Sequence, residues 1–147
     1  MAIYLNNKVG VKLATAAAPT VPSIDISSYV TSCTLTQTFD ELEVTAMGDV
    51  AHKYVAGLQA ATFQIDFLND WAASQVMQTL NAAVGTTLAV SMITVKGTAV
   101  GADNPSYQFS ILVNNLTPVA GAVGDEAMSS LSFTVNTALT VSPSVAF

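Results

Sequence analysis

The sequence predicts a mainly β fold, a sandwich or barrel-like arrangement of strands with one flanking α-helix. Several segments alternate apolar and polar residues at the period of a half-buried strand, and one segment has the spacing of an amphipathic helix. Loops that contain Gly, Pro, Asn and Asp separate these segments. At 147 residues the chain is long enough to bury a core of its own, so we expect a single domain over residues 1–147.

Predicted strands occupy most of the chain. Residues 1–22 are expected to form an N-terminal hairpin followed by a Pro-bearing linker. A Thr-rich strand is predicted at residues 30–38, with one face made entirely of polar side chains. Residues 61–67 show the most regular alternation and predict a half-buried strand. Three further strands are predicted at residues 87–95, 107–115 and 128–137, and a loose tail at residues 138–147.

One helix is predicted over about residues 70–84. Asn69 or Asp70 can cap its start, because a short side-chain oxygen accepts from the first free N–H groups. Gly85 lies where a left-handed residue commonly ends a helix. The apolar residues at helical spacing are Ala72, Ala73, Val76, Met77, Leu80 and Val84.

An acidic segment between the two predicted strands at 30–38 and 61–67 is the most informative feature of the sequence. It places three acids within four residues and then alternates apolar and polar residues like a strand. Such a segment suits a self-associating particle better than an enzyme site, so residues 40–58 are predicted to be an arm between subunits. A solvated strand face is the alternative interpretation of Glu41 and Glu43. The candidate contact residues are Asp40, Glu41, Leu42, Glu43, Val44, Thr45, Ala46, Met47, Gly48 and Asp49.

The charge balance excludes several classes of function. The net charge is −6, from ten acids and four lysines, and the chain has no Arg. Proteins that grip nucleic acid or phosphate use clustered Lys and Arg, so neither activity is expected. The single Cys excludes an intrachain disulfide and a thiolate zinc cluster.

The low charge also favours association with other protein chains. Charged residues make up 10% of the sequence, and the mean hydropathy is +0.50, whereas soluble domains carry about 25% charged residues. No stretch approaches the roughly 20 apolar residues of a membrane helix, so no membrane contact is expected. We therefore expect a homo-oligomer that covers the apolar surface.

No catalytic residue, cofactor or metal site is predicted, and the chain is not expected to be an enzyme. The three acids of the arm lack the partners that a glycosidase pair or a metal site would need. His52 is expected to make a hydrogen bond at the surface, and Cys33 to be a small buried hydrophobic residue. Trp71 is expected to be a packing anchor or, alternatively, an interface residue. Residues 121–125 look like a phosphate loop, but no Lys follows them, so a turn is predicted.

A series of short motifs appears in a characteristic order between residues 25 and 137. They are Asp25-Ile26-Ser27-Ser28-Tyr29-Val30-Thr31, Glu43-Val44-Thr45-Ala46-Met47-Gly48-Asp49, His52-Lys53-Tyr54-Val55-Ala56-Gly57-Leu58, Asp70-Trp71-Ala72-Ala73-Ser74, Asn104-Pro105-Ser106-Tyr107 and Gly121-Ala122-Val123-Gly124-Asp125. In this order the chain resembles the major tail tube protein of bacteriophages with long, non-contractile tails. The resemblance covers about three quarters of the chain.

The resemblance implies a sandwich-like β fold whose strands close an inner barrel shared by six subunits in a ring. Stacked rings then form the tail tube, through which DNA passes without specific binding during ejection into the host. It further implies contact of the arm with a neighbouring subunit or ring, and the tape measure, tail tip and terminator proteins as partners. The chain would be located in the virion tail after synthesis in the cytoplasm of the host bacterium.

Polar strand positions that alternate with core positions are the best candidates for the lumen of such a tube. They are Thr34, Thr36, Thr38, Gln64 and Asp66, with Ser130, Ser132 and Thr134 as further candidates. The alternatives are a β-sandwich adhesion or carbohydrate-binding module, and a small hydrolase or deaminase-like enzyme. The tube of a contractile tail or of a tail-derived device would share the same architecture.

Overall fold

The computed structural model describes residues 6–14 and 22–147. After a short 3₁₀ turn at Asn6–Lys8, this part of the chain forms eight strands and one α-helix. In chain order these are β1 (Gly10–Leu13), β2 (Ile24–Asp25), β3 (Val30–Glu43), β4 (Tyr54–Leu68), α1 (Val76–Ala83), β5 (Thr87–Ile93), β6 (Ser106–Leu112), β7 (Met128–Val135) and β8 (Thr140–Ser142). The prediction of a mainly β fold with a single helix is confirmed. None of the helical segments in the described ranges is long and apolar enough to cross a membrane.

The strands form one antiparallel sheet in the order β2-β1-β5-β6-β7-β4-β3, and β8 pairs with β6. Strands β6 and β7 share only two residue pairs, Ile111 with Val135 and Leu112 with Thr134. This short ladder lets the two halves of the sheet fold over each other. Phe63 of β4 meets Phe109 of β6 edge to face, with 5.3 Å between ring centroids, so the two halves enclose a common core as in a sandwich.

The core is built from alternate residues of the strands and from one side of the helix. These side chains are buried because each strand directs every second residue toward the opposite half of the sheet. The largest fully buried ones are Phe63, Phe67, Phe133, Leu13, Ile26, Ile65, Met77, Leu80, Leu88, Ile93, Ile111 and Val11.

The helix begins later than the sequence predicts. Instead of capping a helix, the Asp70 carboxylate accepts the N–H of Ala72 at 2.8 Å, and the turn that follows places Ser74 at φ 61°. The regular helix therefore starts at Val76, although the apolar spacing already begins at Ala72. Gly85, at φ 81°, has the predicted left-handed conformation.

The two ends of the chain differ in how they compare with the sequence predictions. Residues 1–5 and 15–21, which would supply most of the N-terminal hairpin and linker, lie outside the described residues. The prediction of a loose tail at 138–147 is wrong, because β8 pairs with β6 and the Ser106 hydroxyl donates to the carbonyl of Val145 at 2.7 Å. The ring of Phe147 also occupies the space where a Cβ on Gly10 would lie. A three-residue strand shows too little alternation to be recognised in a sequence.

We expect Phe63→Ala to lower the free energy of unfolding by about 3–5 kcal/mol, because it leaves a cavity and removes the contact with Phe109. Urea denaturation followed by circular dichroism measures this loss. The adjacent Gln64→Ala is the control, since Gln64 is exposed, and should change stability by no more than about 0.5 kcal/mol. Equal losses in the two variants would contradict the packing described here.

Candidate assembly surfaces

The polar positions predicted for a lumen lie together on one face of three neighbouring strands. The register of β3 on β4 and of β4 on β7 aligns them in rows that run across the sheet. No Lys or Arg is part of these rows. The rows are Ser32–Asp66–Ser130, Thr34–Gln64–Ser132 and Thr36–Thr62–Thr134, with Thr38 next to Ala60 at the end.

This polar face is suited to contact with water. Its Thr and Gln side chains are exposed, and its single carboxylate, on Asp66, is partly buried. The intervening residues on the other side, such as Phe63 and Ile65, belong to the core. The face therefore offers neutral hydrogen-bonding groups and no positive charge.

Strand β3 is an open edge of the described sheet. It is 14 residues long and pairs with β4 on one side only. An unpaired edge exposes a row of backbone N–H and C=O groups that can pair with another strand, and proteins usually protect such edges with Lys, Pro or a very short strand. The Thr-rich part of β3, residues 30–38, has none of these protections. The edge is therefore available for pairing with another chain.

Beyond the sheet, β3 and β4 continue as a two-stranded arm. The pairing of β7 with β4 ends at Thr62, whereas β3 and β4 remain paired as far as Glu43 and Tyr54. Residues 40–58, which we call the hairpin arm, thus consist of two strand ends and the turn between them. Nearly all of these residues are exposed. An isolated two-stranded hairpin is marginally stable in water, so an arm of this kind benefits from a partner.

A β-bulge lies at the base of the arm. The register shifts between Phe39 and Glu41, so that β4 has one residue more than β3 in this stretch. Gly57 lies opposite Asp40, and a Cβ added to it would be 3.0 Å from the Asp40 Cβ and 3.2 Å from the Leu42 Cγ. Glycine allows this close approach, and the bulge changes the direction of the strands.

Polar contacts close the tip of the arm. Glu43 accepts hydrogen bonds from the hydroxyl of Thr45 at 2.8 Å and contacts Nδ1 of His52 at 2.6 Å. The N–H of Lys53 donates to the Thr45 hydroxyl at 3.0 Å, and its ammonium group pairs with Asp49. The contacts with His52 and Thr45 lower the pKa of Glu43, and the contact with Lys53 lowers the pKa of Asp49. His52 is thus a surface hydrogen-bonding residue, as predicted.

The arm carries a large share of the exposed apolar side chains. Seven of the fifteen exposed large hydrophobic residues in the described ranges lie within these nineteen positions. The arm predicted from the sequence spans residues 40–58, but the contact residues predicted within it end at Asp49 and leave out the side chains of β4. The interrupted spacing of apolar residues around Gly57 is the signal that could have revealed it. The seven residues are Leu42, Val44, Met47, Val50, Tyr54, Val55 and Leu58.

Other residues singled out in the sequence do not form a site with the arm. Cys33 is only half-buried, and burial raises the pKa of its thiol. Trp71 is 50% exposed, which does not fit a packing anchor and leaves the interface interpretation. Residues 121–125 form the predicted turn, closed by the N–H of Asp125 on the carbonyl of Ala122 at 3.1 Å. Within the described ranges no three His, Cys, Asp or Glu side chains come together as metal ligands.

The chain matches no protein-family model and no curated protein, but its fold matches solved structures. A chain of the virion of a native gene transfer agent particle aligns with a TM-score of 0.67 at 12% identity, over 95% of this chain and 99% of that one. A chain of the tail of an empty gene transfer agent particle, determined by helical refinement with C6 symmetry, aligns with a TM-score of 0.53 at 15% identity. That alignment covers 78% of this chain and 82% of the other. At these identities the likeness shows a shared fold.

The contacts at the tip of the arm predict a response to acid. Because the pKa of Glu43 is lowered from 4.5, its contribution to tip order is complete above that value and is lost as the pH falls through the lowered pKa. The N–H of Lys53 donates to Thr45, so its amide hydrogen exchange reports on the order of the tip. Below about pH 4.5 its protection, measured against the exchange rate of an unstructured amide at the same pH, should fall. Glu43→Gln is the control and should abolish the Glu43-dependent step. Unchanged protection of Lys53 from pH 7 to pH 3 would contradict this role for Glu43.

Proposed function

We propose that this chain is the structural subunit of a phage-type tail tube, and that it assembles into stacked hexameric rings around a lumen through which DNA is ejected. The observation that carries the proposal is the match in fold to a chain of a gene transfer agent virion over nearly the full length of both chains. The likeness to a chain in a C6-symmetric tail supports sixfold rings. In this proposal the chain is located in the virion tail and has no catalytic step.

The open edge of β3 supplies a way to close each ring. In the proposed tube, β3 of one subunit pairs with the sheet of the next subunit, which removes the exposed edge. The polar face of β3, β4 and β7 then forms the inner wall. Six copies of a chain with a net charge of −6 make an acidic ring that repels DNA phosphates, so the DNA passes without being held.

The hairpin arm supplies a second contact, between neighbouring subunits or rings. It projects from the sheet, and its exposed apolar side chains favour burial against a partner. The tape measure, tail tip and terminator proteins are the further partners that such a tube would require. A carbohydrate-binding module would instead present several exposed aromatic rings on one surface of the sheet. The exposed face of β3, β4 and β7 carries hydroxyl and amide groups in the three rows described above.

Replacing residues 40–57 with a short Gly-Ser loop should give a folded subunit that cannot assemble. The deleted residues are almost all exposed, so the core should remain intact. Sedimentation velocity and negative-stain electron microscopy measure the outcome, and the near-native thermal transition of the variant serves as the control for folding. The proposed function requires rings or tubes from the wild-type chain at concentrations up to the millimolar range. Compact monomers of the wild type throughout that range would contradict the proposal. Tubes from the variant would contradict only the proposed role of the arm in assembly.

Arginine on the polar face should slow DNA passage without preventing assembly. Thr36 and Gln64 are exposed, so Thr36→Arg with Gln64→Arg should fold and assemble, while the added charges pair with phosphates. The measurement is the rate of DNA release from assembled particles, with Thr36→Gln and Gln64→Met as a control that changes the same two positions without adding charge. We expect slower release that recovers as the salt concentration is raised. Wild-type rates for the arginine variant would place this face away from the lumen.

A further inference from the structure

We infer that the hairpin arm binds a second copy of this chain through one defined side. We call this side the aliphatic face of the arm; it consists of Leu42, Val44, Val55 and Leu58. The opposite side, which carries Glu41, Glu43, Tyr54 and Ala56, stays in solvent. This inference rests on the proposed function and specifies which surface of the arm makes the contact.

The apolar residues of β3 change from one side of the strand to the other along its length. In the sheet, the odd-numbered residues Cys33 and Leu35 face the core, and the even-numbered Thr34 and Thr36 belong to the polar face. Beyond Asp40 the pattern inverts, because the odd positions are now acidic and the even ones aliphatic. Since side chains alternate between the faces of a strand, the aliphatic residues of the arm continue the polar face and not the core face.

The bulge places the aliphatic residues of β4 on the same side of the arm as those of β3. The register places Leu42 opposite Val55, and Glu41 opposite Ala56. Without the extra residue in β4, Leu42 would lie opposite Ala56, and Val55 would be on the acidic side. Directly opposed residues of two strands point to the same face, so the bulge is what gathers the aliphatic side chains of both strands on one side.

The two sides of the arm differ in how readily they can be buried. The four aliphatic side chains are between 47% and 80% exposed, and removing apolar area from water favours association. Glu43 already has its hydrogen-bonding partners, Thr45 and His52, within the same arm. Burying Glu41 would require a new partner to compensate for the loss of its hydration. The aliphatic face is therefore the side that gains from contact.

The distribution of charge favours a second copy as the occupant. Of the four lysines, Lys8, Lys12 and Lys96 lie in or beside β1 and after β5, near the edge of the sheet that is opposite to the arm in strand order. The arm carries four acids, Asp40, Glu41, Glu43 and Asp49, and one lysine, Lys53, which pairs with Asp49. At the other edge Lys96 pairs with Asp25, while Lys8 and Lys12 have no acid partner among the ion pairs of the described residues. A chain with a net negative arm and three of its four lysines near the opposite edge is complementary to a further copy in a head-to-tail arrangement.

In the proposed tube, the arm cannot continue along the inner wall. If the arm stayed in line with the inner wall, its aliphatic side chains would face the aqueous lumen. The arm must therefore leave the wall, and the bulge at Gly57 provides the necessary change of direction. Its aliphatic face then covers the outer surface of an adjacent copy.

Two neighbouring cross-strand pairs allow a matched test. Leu42→Ser with Val55→Ser changes the aliphatic face, and Glu41→Ser with Ala56→Ser changes the opposite face at the adjacent pair. All four positions are exposed, so both variants should keep the thermal transition of the wild type. The measurement is the concentration at which the purified chain alone begins to form rings or tubes, since the only available partner is then a second copy. We expect this concentration to rise at least tenfold in the first variant and to stay within twofold of the wild type in the second.

Equal effects in the two variants, or a larger effect in the second, would overturn the inference while leaving the proposed function intact. Failure of the wild type to assemble would overturn both. If either double variant proves less stable than the wild type, Leu58→Ser alone replaces the first and Tyr54→Ser alone replaces the second. The same difference in assembly concentration is expected for that pair.

Discussion

The antiparallel pairing of β3 with β4 is the interaction on which the other features depend. These strands are 14 and 15 residues long, well beyond the usual five or six. One end of the ladder is anchored in the sheet by β7 and directs Phe63 and Phe67 into the core. The middle presents the polar rows, and the far end forms the hairpin arm. A single ladder thus fixes the position of the polar face relative to the projecting arm, so both are held at a constant distance from one core.

The high apolar content and the low charge of the chain follow from this arrangement. The core residues account for only part of the apolar content, because many large apolar side chains remain exposed in the isolated chain and gather on the arm. The few charges are also unevenly placed. The arm carries four of the ten acids and one of the four lysines, the other three lysines lie near the opposite edge of the sheet, and the polar face of β3, β4 and β7 carries a single carboxylate. In the proposed tube, this low charge leaves surfaces that can be covered by other chains and an inner wall to which DNA does not adhere.

Much of the fold could be predicted because its signals are local. Alternation located β7 closely at residues 128–137, and at residues 61–67 it located the part of β4 that lies in the sheet but not its start at Tyr54. The polar positions fell on a common face as the pattern required. The start of the helix was misplaced because the Asp70 carboxylate has two uses, to cap a helix or to close a turn, and the sequence does not distinguish them. The pairing of β8 with β6 depends on contacts between distant residues. The role of Val55 depended on a register shift that only the pairing of two strands defines.

The short ladder between β6 and β7 has a mechanical consequence. Two residue pairs connect the halves of the sheet there, whereas the ladders on either side are several times longer. Beyond these pairs, the N–H of Asn136 donates to the carbonyl of Ser110 at 2.7 Å. With so few backbone bonds at this seam, a force that pulls the halves apart is borne largely by side-chain packing, including Phe63 against Phe109. Packed apolar surfaces can slide slightly without losing all their contacts, while hydrogen bonds break abruptly with distance. In the proposed tube, the seam can therefore act as a compliant element that allows each subunit to deform when the tube is bent.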